Sequence, residues 1–222
     1  VAEVLSEIAD TLEKAKDTNK AVQALISETW KKHGRIVFNG NGYTDEWIKE
    51  AEKRGLPNLR SSVEAWPYFA TAESIAIFEK HKVLGKEEIH ARLDIVLEKY
   101  SKQINIEAGV ALEMAGRQIL PACAEYAASL AAEIEQLAEK KLPVGQMESV
   151  LARMAALIED AYGKMKELEE AKAFAKTVGD PLKQAQAYRD KVFVAMEGLR
   201  APIDELEKLG VEIDILDDKE LK

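Results

Sequence analysis

Apolar residues recur every three or four positions from Lys86 to about Glu139: Ile89, Leu93, Val96, Tyr100, Ile104, Ala108, Leu112, Ala115, Ile119, Cys123, Tyr126, Leu130, Ile134 and Leu137. That spacing is helical, not the alternation of a strand. A helix of this length would run roughly 80 Å, against about 45 Å for the diameter of a compact globule of the same chain length. The molecule is therefore expected to be elongated or the helix to bend. Pro121 marks the bend, because it has no N–H for the carbonyl of Arg117 and its ring collides with that carbonyl. Between Ile104 and Ile134 the helix carries few charges and many alanines, so it should be packed on several sides. It is the hub of the chain.

After the turn Leu142-Pro143-Val144-Gly145, the residues Met147, Leu151, Met154, Ile158, Ala161, Met165 and Leu168 alternate steps of four and three. Asp180 and Pro181 fit the N-cap and first position of a last helix. There Val192, Met196, Leu199, Ile203 and Leu206 keep the same beat, through a kink expected at Pro202. Three consecutive segments with heptad or near-heptad spacing and short connections predict an antiparallel, left-handed three-helix coiled coil over residues 117–209, projecting as an arm, with Met147, Met154, Met165 and Met196 in its core.

Upstream of the hub the pattern is broken. Val4, Leu5, Ile8 and Leu12 make one amphipathic stripe and Val22, Leu25, Ile26 and Trp30 another, with Asp17 to Asn19 supplying the break and a cap. Neither stripe has an obvious partner nearby. Gly34 reads as a helix-ending residue. A short β-like run follows, then Phe38-Asn39-Gly40-Asn41-Gly42-Tyr43, whose Asn-Gly pairs suit positive φ and hence a tight loop. Thr44, Ser61 with Glu64, and Thr71 are expected to cap three short helices. Residues 35–85 thus form an irregular, aromatic-rich helical layer. The fold class is all-α, divided as 1–34, 35–85, 86–209 and an acidic tail over 210–222.

Composition narrows the functions. The 222 residues include 31 Lys and Arg against 40 Asp and Glu, a net charge of −9. Phosphate backbones require a basic face, and the one acid-free basic cluster, Lys31-Lys32-His33-Gly34-Arg35, is short, so nucleic acid is not an expected partner. No run is apolar enough for a membrane span and no signal peptide opens the chain, so a cytoplasmic location is expected. The single cysteine, Cys123, reads as a small core residue rather than a nucleophile.

No constellation carries catalysis. His33, His81 and His90 are not spaced as helical metal ligands. The Asn-Gly loop lacks the glycine spacings that cradle phosphate. Asp214, Asp217 and Asp218 do not complete a calcium loop. Glu113 and Arg117, four apart in the favourable order, should pair with each other. No catalytic, cofactor-binding or metal-binding residue is assigned.

The strings Arg35-Ile-Val-Phe-Asn-Gly-Asn-Gly-Tyr43-Thr-Asp-Glu-Trp47 and Glu50-Ala-Glu-Lys-Arg-Gly-Leu56-Pro-Asn-Leu59 resemble the C-terminal region of type III glutamine synthetases. Ala65 to Tyr68, Ile75 to Lys80, Ile104 to Ala108 and Met114 to Tyr126 resemble it in register. The similarity covers nearly the whole chain and is strongest from about residue 30 to 130. It implies a parent enzyme that ligates ammonia to glutamate with ATP and Mg or Mn, in large cytoplasmic homo-oligomers. The family's nucleotide, metal and substrate motifs lie in an N-terminal portion that does not occur in this sequence. The family pattern also runs on beyond Leu216-Asp217-Asp218. The expectation is therefore a structural, assembly-related or regulatory C-terminal helical domain without cofactors of its own, whose partners are its own catalytic domain and sister subunits. Two alternatives are a free-standing helical scaffold or coiled-coil interaction protein, which explains residues 35–85 poorly, and a small acidic regulator that docks on a larger enzyme.

Overall fold

The computed structural model describes residues 1–209, so the expected acidic tail lies outside the described residues. The protein is all-α, with no strand among the described residues. The described residues form two compact units, the first Val1–Ile89 and the second starting at His90.

The first unit contains α1 (Ala2–Glu13), α2 (Thr18–His33), α3 (Asp45–Lys53), α4 (Ser62–Ala65) and α5 (Ala72–Lys80), with 3-10 turns at Gly34–Ile36 and Trp66–Ala70. Local chemistry sets its boundaries. Asp17 accepts from Lys20 N–H, Ser61 from Glu64 N–H and Thr71 from Ser74 N–H, each satisfying a free donor at a helix start. Gly55 takes the left-handed conformation (φ 69°) that closes α3, with Leu56 N–H donating back to Ala51 carbonyl.

Three local expectations are corrected. Gly34 is right-handed helical (φ −56°) and opens a 3-10 turn through Ile36, where a β-like run was expected. Thr44 stands at the N-cap of α3 without a side-chain cap bond, because its hydroxyl donates to Asn41 carbonyl instead. Gly40 and Gly42 are not at positive φ; the loop is shaped by other means.

The second unit is built on the hub, which comprises α6 (Lys86–Met114), a π-turn at Ala115–Ile119 and α7 (Leu120–Glu139). It is followed by α8 (Gly145–Thr177), α9 (Pro181–Ala187), a second π-turn at Tyr188–Phe193 and α10 (Val194–Lys208). Asp180 caps α9, accepting from Lys183 N–H at 2.8 Å, with Pro181 in its first turn. A side chain on Gly116 would meet Met165, and one on Gly109 would meet Lys172, so α8 runs antiparallel to the hub. Gly198 approaches Lys164, and Arg153 pairs with Glu205 at 2.5 Å, so α10 runs antiparallel to α8. One core joins the three segments. It includes Leu120, Cys123 and Leu130 from the hub, Met154, Ala161 and Leu168 from α8, and Val192, Leu199 and Leu206 near the C-terminal end.

The bundle differs from the sequence reading in several places. Its shared core starts by Ile104, a good three turns before residue 117. Met154 is fully buried, whereas Met147, Met165 and Met196 are half-buried against the core. Tyr126, expected inside, is 40% exposed, and Ala127 packs against the core in its place. The hub's irregularity is the π-turn at 115–119, one turn before Pro121, and Leu120 N–H donates to Ala115 carbonyl across it. Pro202 lies within a continuous α10. The hub is also not covered all round, since Ile95, Ile106 and Val110 are exposed.

Candidate functional site

Side chains able to do chemistry are dispersed. His33 ends α2, His81 caps α5, and His90 is exposed on α6. Among the described residues, no group of three or more His, Cys, Asp and Glu could hold a metal ion. Cys123 is fully buried, and desolvation, with the Glu207 charge second, pushes its thiol above the ordinary value. A thiol in that state is a packing group. Glu113 accepts from Arg117 at 3.0 Å in an exposed pair, as the spacing predicts.

What the first unit builds with most care is the loop from Arg35 to Thr44. Arg54, at the end of α3, donates to Val37 carbonyl at 2.7 Å, to Arg35 carbonyl at 3.1 Å and to Glu50 carboxylate at 2.6 Å. Its guanidinium lies within 5.9 Å of the Phe38 ring and 5.8 Å of the Trp47 ring, and those rings stack at 4.4 Å. The Arg54 hydrogen bond holds the Glu50 carboxyl below its ordinary value. Asn41 Oδ1 accepts from Tyr43 N–H at 3.0 Å, which turns the chain back toward α3. This network was not legible beforehand, since nothing in the spacing of Arg54 ties it to residues 35 and 37. The only signal was an arginine near aromatic residues.

This loop and α2 present apolar side chains to solvent. Tyr43 is fully exposed, Ile36 is 60% exposed, and on α2 Ile26 and Trp30 are 62% and 65% exposed. Against these, the described hydrophobic residues buried in this unit are Ala51, Val63 and Ile89. A second tie holds α1 to α5: Glu3 binds both Lys80 and His81, the latter at 2.8 Å, and leaves Val4 and Leu5 facing outward. Large apolar side chains on α1, α2 and the 35–43 segment are thus left uncovered in a unit that buries few.

Fold and surface together define an all-α protein whose first unit leaves large apolar side chains uncovered. No helix among the described residues is long and apolar enough to cross a membrane. Residues 21–138, a little over half of the chain, match the model of the glutamine synthetase C-terminal domain, and the chain belongs to that family. It is 37% identical over 202 residues to a glutamine synthetase of Butyrivibrio fibrisolvens, across 87% of this chain and 28% of that protein. It is 32% identical over 124 residues to the type-3 glutamine synthetase of Dictyostelium discoideum, across 56% of this chain and 17% of that protein. A glutamine synthetase of Bacteroides fragilis (strain YCH46) is 28% identical over 205 residues, across 88% and 27%. The chain thus spans under a third of the length of these relatives. The family match ends at Ala138, close to the end of the hub, so α8 to α10 lie beyond it.

Proposed function

We propose that this chain is the C-terminal helical region of a type III glutamine synthetase and serves the longer enzyme structurally. The supporting observation is the imbalance in the first unit, where Ile26, Trp30, Ile36 and Tyr43 are at least 60% exposed while little is buried. In this reading residues 1–85 clamp onto the catalytic portion, and the second unit serves assembly or regulation. The longer enzyme ligates ammonia to glutamate with ATP and Mg²⁺ or Mn²⁺ in a cytoplasmic homo-oligomer. The described residues hold no carboxylate cluster fit for those metals, so no step of that reaction is assigned to them.

The test uses the full enzyme beside the 222-residue chain. In the full enzyme, hydrogen exchange of α2 and of residues 35–44 should be slower by at least tenfold, because the apolar surface is covered there. Trp30→Asp should impair subunit assembly, whereas deletion of residues 140–215 should leave the chemistry largely intact. The chain alone should neither make glutamine nor bind ATP with magnesium better than millimolar by calorimetry. Turnover by the chain alone, or equal exchange of α2 in both settings, would overturn the reading.

A further inference from the structure

Within the second unit an open groove of about 770 Å³ runs between the hub and α10. Its floor is apolar, formed by Ala115, Ile119, Leu199 and Ile203, and its walls carry Met114, Met196 and the 40% exposed Phe193. Both π-turns border it. Ala115 and Ile119 belong to the first and Phe193 ends the second, and such widened turns recur at functional sites. On the hub, the exposed Val110 and Ile106 continue the apolar strip one and two turns beyond Met114.

The rim is acidic. It carries Glu197, Asp204 and Glu207, while its one basic residue, Arg200, is engaged by Asp204 at 3.2 Å. Neither the Glu197 nor the Glu207 carboxylate has a hydrogen bond or ion pair to a described residue.

We propose that this groove receives the apolar face of an amphipathic helix carrying Lys or Arg on its flank, supplied by a protein partner. A trough between two helices that both pack on α8 matches another helix, which would complete a four-helix arrangement. Glu197 and Glu207 stand on one helix about 15 Å apart, so basic residues some three turns apart would meet both. Methionine walls adapt to the apolar side chains they meet, as in other helix-binding grooves. The charge decides the occupant. Residues 210–222 carry Glu212, Asp214, Asp217, Asp218 and Glu220, and a second copy brings a net charge of −9, so both are disfavoured beside three carboxylates.

The probe is a 15-residue amphipathic leucine–lysine peptide, compared with its leucine–glutamate counterpart, added to the full chain with isotope-labelled methionine methyl groups and tryptophan indoles. The lysine peptide should shift the Met114 and Met196 signals, spare Met147 in the first turn of α8, and bind at least tenfold more tightly than the glutamate peptide. The double variant Glu197→Lys, Glu207→Lys should weaken that binding at least tenfold. Equal binding of the two peptides, insensitivity to the charge reversal, or shifts confined to the first unit's tryptophans would each overturn the proposal. So would Met114 and Met196 signals that change on truncation after Leu209, or with protein concentration alone, because the occupant would then be the chain's own tail or a second copy.

Discussion

The ring of Phe38 occupies the space that any side chain on residue 40 would need: a Cβ built on Gly40 falls 2.4 Å from Phe38 Cζ. The glycine is there for clearance, and the clearance lets Phe38 stack on Trp47 under Arg54. Gly40→Ala should therefore push the ring off Trp47, costing about 1–3 kcal/mol in the manner of overpacking. Gly42 has nothing within 4 Å of its Cβ position and no positive φ, so Gly42→Ala should stay within about 0.5 kcal/mol. Urea unfolding followed by tryptophan emission checks the pair, and equal effects of the two substitutions would refute the clearance argument.

This loop shows where sequence reading stops. Two Asn-Gly pairs announced a turn correctly, but attributed it to positive φ. The true constraint is a ring approaching across two residues, which no local pattern encodes. The bundle was more legible because its residues face one another at fixed spacing, and Cys123, Leu130, Ile134, Met154 and Leu168 lie where the repeat put them. The misplacement of Tyr126 has a simple cause: a tyrosine outweighs an alanine in any hydrophobic pattern, although only Ala127 packs against the core there. With Ala127 in the series, Leu120, Cys123, Ala127, Leu130 and Ile134 keep strict steps of three and four. The uncovered surface of the first unit was foreshadowed by two apolar stripes without a partner. The groove was not, since it depends on how far two helices distant in sequence stand apart.

Glu3 gives α1 an acid-sensitive hold on α5. Hydrogen bonds from Lys80 and then His81 lower its carboxyl below the ordinary 4.5. A carboxylate depressed in the folded state contributes stability above the unfolded value and loses it as pH falls through the folded one. The tie should therefore be intact above about pH 4.5 and weaken below it, with α1 exchanging its amides faster than the second unit does. In Glu3→Gln the hold should be weaker near neutral pH, and this acid step in α1 exchange should vanish. An unchanged step would assign it to another group.

Cys123 should behave as a reporter of opening rather than as a reactive group. It has no exposed surface, and burial raises its thiol, so a native chain should react with a disulfide reagent at least about a thousandfold more slowly than a free thiol. In denaturant the full rate should return. Rapid labelling of the native protein would show that the hub, α8 and α10 do not close around it.

The hub's π-turn has two candidate causes, Pro121 and the apolar register, and they predict different outcomes. Ser101, Ala108 and Ala115 are buried at intervals of seven, and the series would continue to Ala122 and Ser129. The buried residues are instead Cys123 and Leu130, each one position later. A π-turn absorbs one extra residue, so it keeps both halves of the stripe on one core. Pro121 stands in the first turn of α7, where a missing N–H costs little, and Pro202 sits within α10 without a π-turn beside it. The register is therefore the cause. Pro121→Ala should keep the π-turn at 115–119 and change stability by less than about 1 kcal/mol. Deleting the exposed Gln118 should convert it to α-helix with the stripe aligned, but set the Pro121 ring against the carbonyl of Gly116 at a cost of about 3 kcal/mol. The deletion combined with Pro121→Ala should recover most of that loss. Urea midpoints of the three variants, with amide exchange across residues 112–122, decide it, and a π-turn lost in Pro121→Ala alone would make the proline the cause.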